Sequence, residues 1–111
     1  MIAFFVRFSA GAHRDLRSIH GYILKNDSRE NADYVAREIV RSALKLRDLP
    51  DRCAHPPELL AMKNFAYRQI FFKPYRIVYR IRAKTVFIAL IADGRRDMKS
   101  LLMRRFKSDL I

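Results

Sequence analysis

The residues of this sequence best equipped for chemistry lie between positions 67 and 82, where rings and cations interleave: Tyr67, Arg68, Lys73, Tyr75, Arg76, Tyr79, Arg80 and Arg82. Aromatic faces can stack nucleobases while guanidinium groups take phosphates, the pairing used by single-stranded nucleic-acid binders. The spacing qualifies this reading. Tyr75 and Tyr79 alternate with Ile77 and Ile81, so on a strand these rings share an apolar face that must pack, while Arg76, Arg80 and Arg82 stand on the other. A second candidate is the segment from Arg95 to Arg105. There Arg95 and Arg96 on one side and Arg104 and Arg105 on the other flank Asp97, Met98, Leu101 and Leu102, the composition of an apolar anchor with a cationic rim.

Other chemistries find little support. His13 and His20 are seven apart and share a helix face, yet no third ligand accompanies them, and His55 falls in a proline-rich loop. The single cysteine, Cys53, forms no CxxC pair, and three glycines at 11, 21 and 94 cannot build a phosphate loop. We therefore expect no metal and no cofactor.

Composition narrows the class. At 111 residues the chain is the size of one domain, expected to span 1–111, and 50% apolar content supports a core. Basic residues outnumber acidic ones 23 to 11, for a net charge of +12, so the expected partner is a polyanion or an acidic protein surface. The charge is uneven: residues 1–55 carry +3 and residues 56–111 carry +9, which assigns that contact to the C-terminal half. The apolar start is too short and too lightly flanked for a signal peptide, and no run approaches the roughly 20 residues of a membrane span. We expect a cytoplasmic protein without membrane contact.

Periodicity supplies the elements that hold these residues. Ile2 to Phe8 alternates as a strand, with Ile2, Phe4, Val6 and Phe8 on one face. Ser9 then caps a helix whose stripe is Ala12, Leu16, Ile19 and Ile23 and which ends near Lys25 and Asn26. Asp27 to Glu30 reads as a capping box with Asp27 as the cap, opening a second helix with the stripe Ala32, Val35, Ala36, Ile39, Ala43 and Leu46. Leu49-Pro50 closes it, and Asp51 to Pro57 is a loop. Tyr67–Phe72, Tyr75–Arg82 and Thr85–Ala92 form a meander, the last apolar on both faces as a central strand would be, and Arg95 to Phe106 is a short helix or tail. The order β-α-α-β-β-β predicts an α+β domain, a two-helix hairpin packed on one face of a mostly antiparallel four-stranded sheet.

This order, with "RDLRSIHGYI" at 14–23, "PELLAM" at 57–62, "YRQIFFKPYRIVYRI" at 67–81 and "IADGRRDMKSLLMRR" at 91–105, resembles the RelE/ParE superfamily of type II toxins, on the ParE side. The resemblance implies a small basic toxin of a plasmid or chromosome maintenance system, neutralised by a cognate acidic, ParD-like antitoxin in a hetero-oligomer. ParE-like members poison DNA gyrase, and RelE-like members cleave mRNA on the ribosome. The latter carry an acid/base Tyr or His just after the last strand, where this chain reads Ala92-Asp93-Gly94-Arg95-Arg96. That favours gyrase binding without catalysis, with Arg95, Arg96, Asp97, Met98, Leu101, Arg104 and Arg105 as target contacts and nucleic acid met only indirectly. The alternatives are a ribosome-dependent mRNA endonuclease in which Arg68, Arg76 and Arg80 stabilise a phosphorane, and a non-toxic basic nucleic-acid-binding domain.

A helix hairpin on a sheet with an exposed edge offers both a helix-in-groove and a strand-addition site, and a disordered acidic segment drawn to a +12 surface can fold there. Leu16, Ile19, Tyr22 and Ile23 are the expected antitoxin contacts.

Overall fold

The computed structural model describes residues 3–107. Strand β1 (Phe5–Phe8) leads into α1 (Ala10–Asn26) and α2 (Arg29–Leu44), followed by two 3-10 turns and a one-turn helix α3 (Pro57–Leu60). Strands β2 (Tyr67–Phe72), β3 (Tyr75–Arg82) and β4 (Thr85–Asp93) follow, and α4 (Met98–Arg105) ends the described chain. The sheet order is β1-β4-β3-β2. β2, β3 and β4 are antiparallel neighbours, and β1 pairs parallel to β4. β4 is therefore central, as its doubly apolar sequence requires. The first strand is shorter than its alternation suggests, and Ile2 lies outside the described residues.

The caps explain the helix starts. The Ser9 hydroxyl accepts from the Ala12 amide at 3.0 Å. At the second helix Ser28, not Asp27, is the cap: its hydroxyl accepts from the Asn31 amide at 3.0 Å, while Asp27 accepts from the Asn31 side chain. The serine sits three residues before that amide, the offset an N-cap needs.

The hairpin buries Ala12, Ile23, Ala32, Val35, Ile39 and Ala43 against Ile77, Tyr79, Val86, Ile88 and Ile91 of the sheet. Tyr79 is fully buried, and its hydroxyl donates to the Pro50 carbonyl, tying the proline loop to the core. Burial is the main cause that pushes that hydroxyl's pKa up.

The two-helix hairpin on a mostly antiparallel four-stranded sheet is the α+β arrangement expected from sequence, but the helices are not all segregated to that face. α3 and α4 cover the opposite side, where Leu59, Met98, Leu102 and Phe106 pack on Tyr67, Val78, Leu90 and Ala92. The cause is a β-bulge. Val78 pairs with Leu90 and Tyr79 with Ile88, so Ala89 is an extra residue in β4. It reverses the alternation: Val86 and Ile88 face the hairpin, whereas Leu90 and Ala92 face α4. An apolar patch then exists on the second face, and the amphipathic tail folds onto it.

Candidate functional site

Where β1 ends, the chain turns away into α1 and leaves β4 without a neighbour. Phe8 is in register with Ile88, Ser9 donates to the Ile88 carbonyl, and β4 runs on to Asp93 with no strand on that side among the described residues. Such an edge presents unpaired peptide groups. Two of them are satisfied by side chains. The Ile91 amide donates to Asp15 Oδ2 at 2.9 Å, and Arg105 Nη1 donates to the Ala89 carbonyl at 2.8 Å. Arg105 also forms a forked pair with Asp15, at 2.7 and 3.0 Å. One ion pair thus joins α1, the bulge and α4. Gly11 makes room for it, since a Cβ there would lie 2.9 Å from Arg105 Nη1.

Beyond this lock α1 stands off the sheet and a groove of about 440 Å³ opens. Ser18, Ile19, Tyr22 and Ile23 on α1, three to four residues apart and so on one helix face, form one wall. Tyr75 and Ile91 form the other, and Arg95 and Arg96 stand at the mouth. Tyr22 is 70% exposed, a large ring with little to cover it. Asp93 holds Arg95 in place: Nη2 reaches Oδ2 at 2.6 Å, Nε reaches Oδ1 at 3.0 Å, and the Arg95 amide also donates to Oδ1. The Arg95 hydrogen bonds hold the Asp93 carboxyl below the usual carboxylate range. Burial raises the Tyr75 hydroxyl. The groove thus combines an apolar floor, an open strand edge and a cationic mouth, which suits an acidic segment with apolar side chains.

Two sets of residues assigned to different partners meet here. Ile19, Tyr22 and Ile23, expected to contact the antitoxin, and Arg95 and Arg96, expected to contact the target, line the same cavity. Leu16 does not; it packs on the hairpin core and borders a separate cleft with Arg17, His20 and Ala36. Within the tail, Asp97 is the N-cap of α4, Met98 is buried, Leu101 is partly buried and Arg105 is committed to the lock. Arg104 remains exposed. Amphipathic spacing reported Met98 correctly as apolar, but the layer it packs against exists only because of the bulge.

Arg68, Arg76 and Arg80 do not converge. Arg68 is in register with Tyr79 on the hairpin side and donates to the Cys53 carbonyl. Arg76 and Arg80 face the other layer. Arg76 is buried in a forked pair with Glu58 at 2.7 and 2.8 Å and also donates to Gln69 Oε1. These bonds lower the Glu58 carboxyl below its ordinary range and fasten α3 to the sheet. The Arg80 guanidinium lies 5.3 Å from the centre of the Tyr67 ring.

Sequence reasoning missed Asp15 and Tyr75 as groove residues. Asp15 was legible only as a polar residue on the outer side of α1; its partner is 90 positions away. Among the described residues no group of three or more His, Cys, Asp or Glu could hold a metal ion, and no helix is long and apolar enough to cross a membrane.

Over residues 6–98 the sequence matches the family described as ParE toxin of type II toxin-antitoxin system, parDE. The chain belongs to the ParE toxin family. No curated protein matches it by sequence. In fold, this ParE-family chain is similar to a chain of the chromosomal ParDE toxin-antitoxin system from P. aeruginosa, with a TM-score of 0.71 at 16% identity, covering 82% of this chain and 96% of that one. It is also similar to a chain of the toxin-antitoxin complex RelBE2 from Mycobacterium tuberculosis, with a TM-score of 0.61 at 23% identity, covering 84% and 93%. Both likenesses are in the fold.

Proposed function

We propose that this ParE-type toxin acts by binding a protein target, DNA gyrase, without catalysis, and that a cognate acidic antitoxin neutralises it by filling the groove between α1 and the free edge of β4. The observation that carries the reading is the groove itself, in which Ile19, Tyr22 and Ile23 share one cavity with Arg95 and Arg96. A segment seated on Tyr22 would also cover both arginines. Neutralisation then needs no conformational relay, because the same side chains cannot serve two partners at once. The structural ParDE and RelBE2 relatives come from toxin-antitoxin assemblies, which supports an antitoxin partner for this chain.

The division of Arg68 from Arg76 and Arg80 between two faces argues against the endonuclease alternative. A phosphorane needs donors converging on one point, and Arg76 is already held by Glu58. The test is expression of the chain alone in a bacterial host, following the DNA-damage response and bulk mRNA together. The gyrase reading expects DNA damage with intact mRNA, damage that co-expressed antitoxin abolishes. A companion Tyr22→Ala chain should bind the antitoxin about tenfold or more weakly, since exposed aromatic anchors carry much of an interface's energy. Rapid mRNA loss without damage would overturn the target assignment, and unchanged antitoxin affinity in Tyr22→Ala would overturn the groove.

A further inference from the structure

The apolar anchor expected in the tail is not at the surface: Met98 and Leu102 are buried against the sheet, Leu101 is partly buried and Arg105 is held by Asp15. Arg95 has a different apolar neighbourhood. It lines two cavities, the groove beside α1 and a second cleft of about 470 Å³ on the α4 side of the sheet. Phe71 of β2 is in register with Arg76 of β3, and Arg76 with Ala92, which packs on α4, so Phe71 projects to that side. Its ring is 53% exposed, whereas Phe72 beside it packs on the hairpin core. Pro57 at the start of α3 and Pro74 in the β2–β3 turn extend the apolar rim, and Lys73 stands exposed next to them. The floor is fixed. Arg76 donates to Gln69 and forks onto Glu58, and both floor residues are buried. The Gly94 amide donates to the Pro74 carbonyl at 2.8 Å, and a Cβ at Gly94 would lie 3.0 Å from Arg76 Cδ, so the turn after β4 is fastened to the turn before β3. Arg95 leaves this turn with two of its five guanidinium hydrogens bonded to Asp93, which leaves three for a partner's carboxylate.

We infer that this cleft seats the toxin's protein target, through an acidic surface that inserts an apolar side chain beside Phe71 and sets carboxylates against Lys73 and Arg95. An exposed ring and an arginine over a rigid floor are the residue types that carry interface energy, and the cationic rim draws an acidic partner. Resting on the protein-target reading, the cleft gives that target an aromatic anchor outside the antitoxin groove. Ile19, Tyr22 and Ile23 line only the groove, Phe71 and Lys73 line only the cleft, and among the described residues Arg95 is the wall they share. An antitoxin seated on Tyr22 therefore takes one side of the cleft without entering it, and the two partners compete for a single side chain.

The experiment uses the full chain with purified DNA gyrase and, separately, with the cognate antitoxin, and reads inhibition of DNA supercoiling and antitoxin affinity. Phe71→Ala should need about tenfold or more protein for half-inhibition, with antitoxin affinity within about twofold of the unaltered chain. Lys73→Glu reverses an exposed rim charge without touching the packing and should weaken inhibition about fivefold, a loss that shrinks as salt rises. Arg95→Ala should weaken both readouts. Phe65→Ala removes a ring that is 62% exposed but lies outside the cleft, and it should change neither. Because the altered residues are exposed, circular dichroism should report an unchanged fold for every variant. Full inhibition by both Phe71→Ala and Lys73→Glu would overturn the cleft and leave the target reading standing. Failure of the unaltered chain to inhibit gyrase would overturn the target reading, and the cleft's role with it. A matching loss of antitoxin affinity in Phe71→Ala would mean that the antitoxin fills the cleft, and an equal loss of inhibition in Phe65→Ala would mean that any exposed ring serves; either result would overturn the inference.

Discussion

Replacing Arg105 with methionine keeps the aliphatic stem and removes three hydrogen bonds, two to Asp15 and one to the Ala89 carbonyl. It strands a carboxylate whose side chain is 15% exposed, leaving it only the Ile91 amide. Breaking a fully buried pair costs about 3–5 kcal/mol because a charge is left without compensation. The Arg105 side chain is 26% exposed, so water can reach part of the site, and we lower the expectation to about 2–3 kcal/mol. For 111 residues that corresponds to a fall in Tm of about 8–13 °C. The assay is urea unfolding followed by circular dichroism, as a double-mutant cycle with Asp15→Asn, which preserves an acceptor for Ile91. The m-value should stay constant, and the double variant should be less damaged than the sum of the singles by about 1.5 kcal/mol or more. A loss below about 1 kcal/mol for Arg105→Met, or additive single costs, would refute the claim that this pair locks the bulge and α4 together; it would then behave as an ordinary surface ion pair.

Two further outcomes follow from the same structure. The Glu58 carboxyl is lowered by its bonds to Arg76 from an ordinary value of 4.5, so its contribution to stability is present above that value and lost as pH falls through the lowered one. Unfolding free energy measured from pH 6 down to pH 3 should therefore decline, and Glu58→Gln should start less stable at pH 6 and decline less; parallel curves would contradict the linkage. Tyr79→Phe leaves the Pro50 carbonyl without its donor inside the core, at a cost of about 1–2 kcal/mol in urea unfolding, and a neutral result would mean that water replaces the hydroxyl.

Much of the fold is readable from local pattern. The hairpin stripes, the three meander strands and the central position of β4 all follow from periods of 3.6 and 2, because which face of an element is apolar is a property of that element alone. The choice of superfamily also followed from contiguous segments, and the family match over residues 6–98 agrees with it. Tyr22 and Arg95 were identifiable as a candidate antitoxin contact on the first helix and a cation near a turn. Their sharing of one groove was not, since 73 positions separate them and no spacing rule spans that distance.

What tertiary structure alone decided begins at Ala89. One extra residue turns Leu90 and Ala92 to the second face, gives α4 an apolar bed and converts Met98 from an anchor on the surface into core. The bulge also leaves the Ala89 carbonyl and the Ile91 amide to be satisfied by Arg105 and Asp15. Neither side chain looks different from its charged neighbours in sequence. A buried peptide group must find a partner, and which partner it finds depends on where the backbone brings helices that are distant in sequence. The sequence alone therefore determined the elements and the superfamily, while strand register and helix docking selected the residues left to bind.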